Sequence, residues 1–308
     1  TLTFSARLTT DGDTLSVNGK FDPSGKVTKT ISRAAKGKSD LILSLDLGFG
    51  TSTNLATGTV SDGNWTAELK ADHAVFSNAN KATAFANRYT LLIPGLANAA
   101  DGPPGYGYGM VSVANNGGVR LNGATADGQL ISQSVPISEN GEWPFYVALS
   151  KGTYVYTNMA TMRVQTARNY PLGSMLGWLT FTNNAPTGTV SWIKTAGSGV
   201  VYPNGFTNES ELLASRYLAP ARGIRAVDIA DGTLTLANGN LSSTITRNVL
   251  VDPNNRLTIT PTNPTVKLTL SASTGSLFGT FKNPDNANRT TSLKGVVLQD
   301  QKIGGGFF

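Results

Sequence analysis

Apolar and polar residues alternate with period two through most of this chain, and that period admits β-strands and little else. It runs through "TLTFSARL", "TLSVNGKF" and "LILSLDL", and later through "GMVSVA", "GTVSWI", "RLTITP" and "VKLTLSA". Between these stretches lie "DGD", "DPSG", "SDGN", "NNGG", "ENGE" and "DPNN". Asp-Gly and Asn-Gly turns supply the positive φ that matches strand twist, so each strand is expected to pair with its neighbour as a hairpin. With 34 Gly, 14 Pro and 14% charged residues, the composition is that of short strands joined by many turns. The predicted fold is all-β: antiparallel meander units that form barrels or sandwiches, with one or two short helices. The helices are placed at Ser77–Tyr89 and at Thr207–Tyr217, the second with Asn208 as N-cap and Glu211 three positions on.

Internal similarity organises the strands. "TGTVS" stands at Thr57–Ser61 and again at Thr187–Ser191, 130 residues later, and Arg88-Tyr89 returns as Arg216-Tyr217 after 128. Strands ending in Gly recur at Leu15–Gly19, Val119–Gly123 and Gly275–Gly279. The first two are 104 residues apart, so an insertion is expected before the second "TGTVS", and Lys151–Pro171 is the segment that interrupts the pattern. The expected organisation is three meander units, 1–88, 89–217 with the insertion 151–171, and 218–308. Repetition of this kind covers each unit's apolar face against a neighbour or a second sheet.

Chemistry is sparsely represented. There is no cysteine, which excludes disulfides, thiolate metal sites and a thiol nucleophile. His73 has no second His or Cys to share a metal, no serine in a nucleophile elbow accompanies it, and it reads as structural. A glycosidase needs two acids about 5–10 Å apart in a cleft. Most acids here, Asp22, Asp62, Asp127, Asp252 and Asp285 among them, sit in turn sequences, and Glu139 and Glu142 are explained by an "ENGE" hairpin. Calcium oxygens are offered by Asp11–Asp13 and Asp252–Asn255, but neither stretch has the twelve-residue loop of an EF-hand. No metal and no cofactor are expected. The basic run Lys20–Lys38 contributes to a net charge of +6, lacks interleaved aromatics, and reads as a solvated hairpin face, so nucleic acid is not expected as a partner.

Aromatic residues are the stronger lead. Trp65, Trp143, Trp178 and Trp192 lie near the repeated motifs and read as core. Tyr106 and Tyr108 in "GYGYG", and Tyr154, Tyr156 and Tyr170 in the insertion, are not needed by the repeat and are the candidate binding residues.

The stretches "GTVSDGNWTAELKADHAVFS", "RYTLLIPG", "NGEWPFYVAL", "GSMLGWLTF" and above all "SLKGVVLQDQKIGGGFF" resemble a β-repeat region near the C-terminal end of large secreted or cell-surface bacterial proteins. In that family the path from "FYVAL" to "GSLLGWL" is short, which sets Lys151–Pro171 apart, and the final motif continues past the phenylalanines. The chain, opening on Thr1, accordingly reads as a processed product or an excerpt. The resemblance implies no catalytic residue. The reading that results is a non-enzymatic, extracellular structural or adhesive segment whose partners are other surface proteins or further copies of itself. A glycan-binding module using the exposed tyrosines is the alternative, and a carbohydrate-active enzyme comes behind both. A membrane span is not expected: no window approaches ~18 consecutive apolar residues, and the strands carry Thr, Ser and Lys on both faces, unlike a lipid-facing barrel.

Overall fold

The computed structural model describes residues 2–10, 13–49, 55–182, 185–196, 202–262, 265–286 and 289–308, with the side chains of all but 150, 151, 154, 169, 170 and 286. The fold is an all-β sandwich architecture built from antiparallel sheets. It divides into two compact units, Thr1–Val75 with Ser150–Gly173, and Phe76–Leu149 with Ser174–Phe308. The segment Lys151–Pro171 lies within the stretch that belongs to the first unit.

In the first unit, strands β1 (Thr3–Thr10) and β2 (Asp13–Lys20) form a hairpin. A four-stranded meander follows: β3 (Lys26–Ile31), β4 (Leu41–Asp46), β5 (Leu55–Ser61) and β6 (Thr66–Asp72). Val17 from the hairpin packs with Leu41, Leu43 and Val60 from the meander, and Phe4, Leu8 and Leu15 close the rim. The basic run forms the solvated face expected of it only in part: Lys20, Lys26 and Lys29 are exposed, but Arg33, Lys36 and Lys38 turn to acids. Lys36 and Lys38 close on the buried carboxylate of Asp13, at 2.6 and 3.1 Å. The buried Arg33 donates from Nε to Ser39 O and lies 3.9 Å from Asp62. Charges adjacent in sequence are drawn inward because the turn after β3 brings them against acids from β2 and the β5–β6 loop.

The second unit opens with β7 (Arg88–Ile93), β8 (Gly107–Val113), β9 (Gly118–Ala124) and β10 (Leu130–Pro136), a meander completed at its other edge by β16 (Leu213–Arg216) beside β7. Packed on it is the sheet of β11 (Glu142–Asn158), β12 (Arg163–Thr182), β14 (Thr189–Lys194) and β15 (Phe206–Glu211), with the short β13 (Ala185–Thr187) against β12. Only the parts of β11 and β12 up to Leu149 and from Ser174 belong to this unit. The core holds Trp143, Phe145, Met175, Leu179, Phe181 and Trp192 facing Tyr89, Leu91, Val111, Leu121 and Ile131. Burying rings of this size contributes roughly 1.5–3 kcal/mol each.

The remainder forms a second sandwich in the same unit. Strands β17 (Asp231–Leu236), β18 (Ile245–Val251) and β19 (Leu257–Thr260) form one sheet. Strands β20 (Val266–Leu270), β21 (Ser276–Lys282), β22 (Thr290–Leu298) and β23 (Ile303–Phe307) form the other. The first "TGTVS" lies on the third strand of its four-stranded path, and the second spans the end of β13 and the start of β14, the third strand of the path through β11, β12, β14 and β15. Gly295-Val296-Val297 lies on β22, third in the last sheet.

Both helical expectations fail. Thr207–Tyr217 is strands β15 and β16, with β15 exposed at alternate positions and paired to β14 from Thr189↔Glu211 to Lys194↔Phe206. The capping-box spacing is real, but Asn208 spends its amide on Pro94 O instead. An available sheet edge outweighs a short helical propensity of a few tenths of a kcal/mol per residue. Ser77–Tyr89 is turns leading into β7. The "ENGE" turn is likewise no hairpin: β10 and β11 lie in different sheets, so it is the corner by which the chain changes layers.

Strand β7 departs from alternation, with Tyr89 to Ile93 all buried. Its second face is covered by β22: Leu92 packs with Val296 and Leu298, and Thr90 donates its hydroxyl to Val297 O at 2.7 Å. The motif "LQDQKIGGGFF" builds the same junction. Gln299 accepts from Leu218 N–H at 2.7 Å and donates to Leu218 O and Ala226 O. Gln301 donates to Ala214 O. At Gly305 a Cβ would come within 2.6 Å of the Leu92 side chain and at Gly306 one would run into the backbone of Lys294 and Gly295, so the close approach of β23 requires glycine at Gly306. Gln299→Ala removes three hydrogen bonds, two at the exposed backbone of Leu218, and leaves the carbonyl of the buried Ala226 unpaired. We expect a loss of about 2–3 kcal/mol, read as a lower urea midpoint, and an unchanged midpoint would show that the clamp contributes nothing.

Candidate functional site

Period two decides which aromatics meet solvent. On β11, Trp143, Phe145, Val147 and Leu149 point into the core, so Pro144, Tyr146 and Ala148 point out. On β12, Met175, Leu179 and Phe181 point in, and Leu176, Trp178 and Thr180 face out. Strand β14 buries Val190, Trp192 and Lys194 and turns Ser191 and Ile193 outward. The outer face of this sheet therefore gathers Tyr146, Leu176, Trp178 and Ile193, with Trp178 47% exposed. Beyond Ile193, strand β15 adds Thr207 and Glu209, and Ser191 Oγ donates to Glu209 at 3.1 Å. Burial pushes the Tyr146 hydroxyl pKa up, so this ring stays neutral over the physiological range.

Such a face offers aromatic and aliphatic area for a flat apolar surface, bordered by hydroxyls and carboxylates that accept or donate hydrogen bonds. Its positions are fixed by the core behind it. Trp143 donates its indole N–H to Gln133 at 2.8 Å and stacks on Phe181 at 6.0 Å.

Lys194, one residue beyond Ile193, is clamped from within. Its ammonium lies 2.8 Å from Asp127 in the β9–β10 turn, and both side chains are nearly inaccessible. Asp127 also accepts from Thr125 and from Gln129. Burial alone would push the Asp127 carboxyl up, but the bonds from Lys194, Thr125 and Gln129 outweigh it and hold the pKa below the ordinary value. The pair ties the turn of one sheet to the strand of the other.

The tyrosines singled out in the sequence meet different fates. Tyr106 is exposed. Tyr108 is half-buried in the β7–β22 junction with its ring stacked on Phe307 at 6.1 Å, so that ring face is already covered. Tyr156 is half-buried and donates to Gln165 at 2.9 Å. The side chains of Tyr154 and Tyr170 lie outside the described residues. Tyr106 and Tyr108 belong to the second unit and Tyr156 to the first.

Of the tryptophans, Trp143 and Trp192 are core as expected, whereas Trp65 and Trp178 are exposed. The Trp178 signal was present in the sequence: counting back by twos from Phe181 through Leu179 puts Trp178 on the opposite face.

Acids and the histidine follow turn chemistry. Asp22 Oδ1 accepts from Ser24 and Lys26, Asp62 Oδ1 from Asn64 and Trp65, Asp252 Oδ1 from Asn254 and Arg256, and Asp285 from Ser242. These bonds hold the Asp22, Asp62 and Asp285 carboxyls below their usual pKa values. Asn255 of the calcium candidate bridges Ala226 N–H and Ile224 O, and Asp11 lies outside the described residues. His73 is exposed just past β6, and no group of three or more His, Cys, Asp or Glu side chains able to hold a metal occurs among the described residues. Among these residues no helix is long and apolar enough to cross a membrane.

Comparison with protein-family models, curated proteins and solved structures returns no match.

The sign of the Asp127 shift makes the clamp testable. A depressed folded value means that the pair stabilises the fold at pH above about 4 and that this contribution is lost as pH falls through the folded value. Lys194→Met leaves a buried carboxylate without its counter-charge and should cost about 3–5 kcal/mol at pH 7. Without Lys194 two of the contributions that lower the Asp127 value are gone, so the value should lie above the parent's and the stability gap between the two proteins should narrow as pH falls from 7. Urea midpoints across pH read both effects, and parallel profiles for the two proteins would refute the assignment.

Proposed function

We propose that the chain is a non-catalytic structural and adhesive β-sandwich segment of a bacterial cell-surface protein, built from three copies of one meander module. The observation that carries the adhesive reading is the outward face of Tyr146, Leu176, Trp178 and Ile193 on strands whose other face holds the largest hydrophobic cluster. Large apolar side chains on a core-backed sheet are held in fixed positions, and a rigid aromatic displayed to solvent is the form in which an interface anchor is presented. The engagement of acids by backbone amides supports a binding rather than a proton-transferring role. The shared third-strand position of the two "TGTVS" strings, with Gly295–Val297 in the corresponding strand of the last sheet, supports the module reading. The surface location rests on the resemblance of "SLKGVVLQDQKIGGGFF".

A second reading, glycan recognition, is favoured by the exposed Trp178 ring on a sheet face that also carries Ser191, Thr207 and Glu209, because a pyranose presents an apolar face and a hydroxyl rim. Tyr106 contributes a separate exposed ring. Both readings are tested by binding of the intact chain to a glycan array and to immobilised surface proteins, beside Trp178→Ala. A hot-spot tryptophan should cost about tenfold or more in affinity, with the thermal midpoint little changed because the residue is outside the core. Binding that is identical in the variant would remove this face from the function.

A further inference from the structure

Stability does not account for one feature of the first unit. Strands β11 and β12 are joined by a turn at Met159–Met162, and the turn and its flanks expose Val155 (59%), Met159 (58%), Met162 (73%) and Val164 (72%). Single exposed apolar residues are ordinary, but four within ten residues form a patch. The turn that displays them is stiff. Asn158 is buried, its Oδ1 accepts from Ala160 N–H and Thr161 N–H at 3.0 and 3.1 Å, and its carbonyl accepts from Met162 N–H at 2.7 Å. The base is fixed as well, since Met159 N–H donates to Ala34 O at 2.8 Å.

Met162 has φ +54°, a left-handed conformation that favours glycine or asparagine over a long side chain. The chain therefore holds an exposed methionine in an unfavourable backbone conformation, the kind of local conflict that clusters at functional positions.

Charge indicates the partner. From Lys151 to Pro171 the chain carries Lys151, Arg163 and Arg168 and not one Asp or Glu, and both arginines are exposed. We propose that this hairpin tip docks onto an anionic lipid surface, with Met159, Met162, Val155 and Val164 entering the interface and the arginines meeting headgroup phosphates. A soluble polyanion would satisfy the charges but leave the methionines in water, whereas a bilayer receives both. The inference goes beyond the adhesive reading and stands without it, since it uses no residue of the Trp178 face.

The test is co-sedimentation of the intact chain with vesicles of phosphatidylglycerol and phosphatidylcholine, against phosphatidylcholine alone. Binding is expected only to the anionic vesicles, weakening as salt is raised. Arg163→Gln and Arg168→Gln should each lower it about fivefold, and Met162→Asp should abolish it. Met162→Gly is the control for folding: it relieves the backbone, so the thermal midpoint should hold or rise while binding falls severalfold. Trp178→Ala should bind vesicles as the parent does, which separates this proposal from the adhesive one. Equal binding to both vesicle types, or full binding by Met162→Asp, would overturn the proposal. So would capture by dextran sulfate that depends on the arginines and not on the methionines, which would make the tip a polyanion site.

Discussion

The second unit depends on one strand being buried from both sides. Strand β7 contributes Tyr89, Leu91 and Ile93 to the core shared with the β11–β12 sheet, and Thr90 and Leu92 to the junction with β22. A strand in this position cannot alternate, because neither face meets water. Its partner obeys the same constraint: Val297 faces into its own sandwich while Val296 and Leu298 face β7. The dry contact between two sheets is then sealed at its rim by Gln299, Gln301 and the Tyr108–Phe307 stack. The two sandwiches of this unit are therefore joined through core, not through a flexible linker.

The terminal stretch of the chain answers the same constraint. In "GVVLQDQKIGGGFF" the valines and leucine supply both faces of β22, the glutamines satisfy the backbone of the connecting segment, and glycine lets β23 approach the backbone of β22. Phe307 covers Tyr108, and Phe308 packs edge-on against Phe281 at 5.1 Å. Each residue type answers a packing or hydrogen-bonding demand, and no chemistry need be invoked for any of them. A motif of this kind marks a joint.

The alternation made the strands legible, and the Asp-Gly and Asn-Gly turns made the meanders legible, because both signals are local. What escaped was set by partners distant in sequence. "TNESELLASRY" carries a genuine helix-start signature, and only the presence of β14 on one side and β7 on the other makes it two strands. Lys36, Lys38 and Arg33 look solvated until Asp13 and Asp62 are placed beside them. The runs "YTLLI" and "GVVL" were themselves a signal, since an unbroken apolar run in an otherwise alternating chain announces a second covered face. Trp178 is readable by parity, and its place near a repeated motif, the ground for expecting it in the core, is the weaker criterion. The face it belongs to also needs Ile193 from β14, a neighbour that the strand order supplies.

A distinction follows between what the protein needs in order to fold and what it displays. The buried pair Asp127–Lys194, the Trp143–Phe181 stack and the Gln299 clamp each satisfy groups that would otherwise be costly to bury. Trp178 and Met162 do the reverse. Each exposes apolar area at a position where the neighbouring structure is rigid, one on a sheet backed by the largest core and the other on a turn fixed by Asn158. Polar substitutes would serve folding at least as well at both places, and at Met162 glycine would serve it better. Residues that folding does not require, held where they cannot collapse inward, derive their value from what they meet outside the molecule. That is the physical ground for seeking partners at these two features and not in the turns where the acids lie.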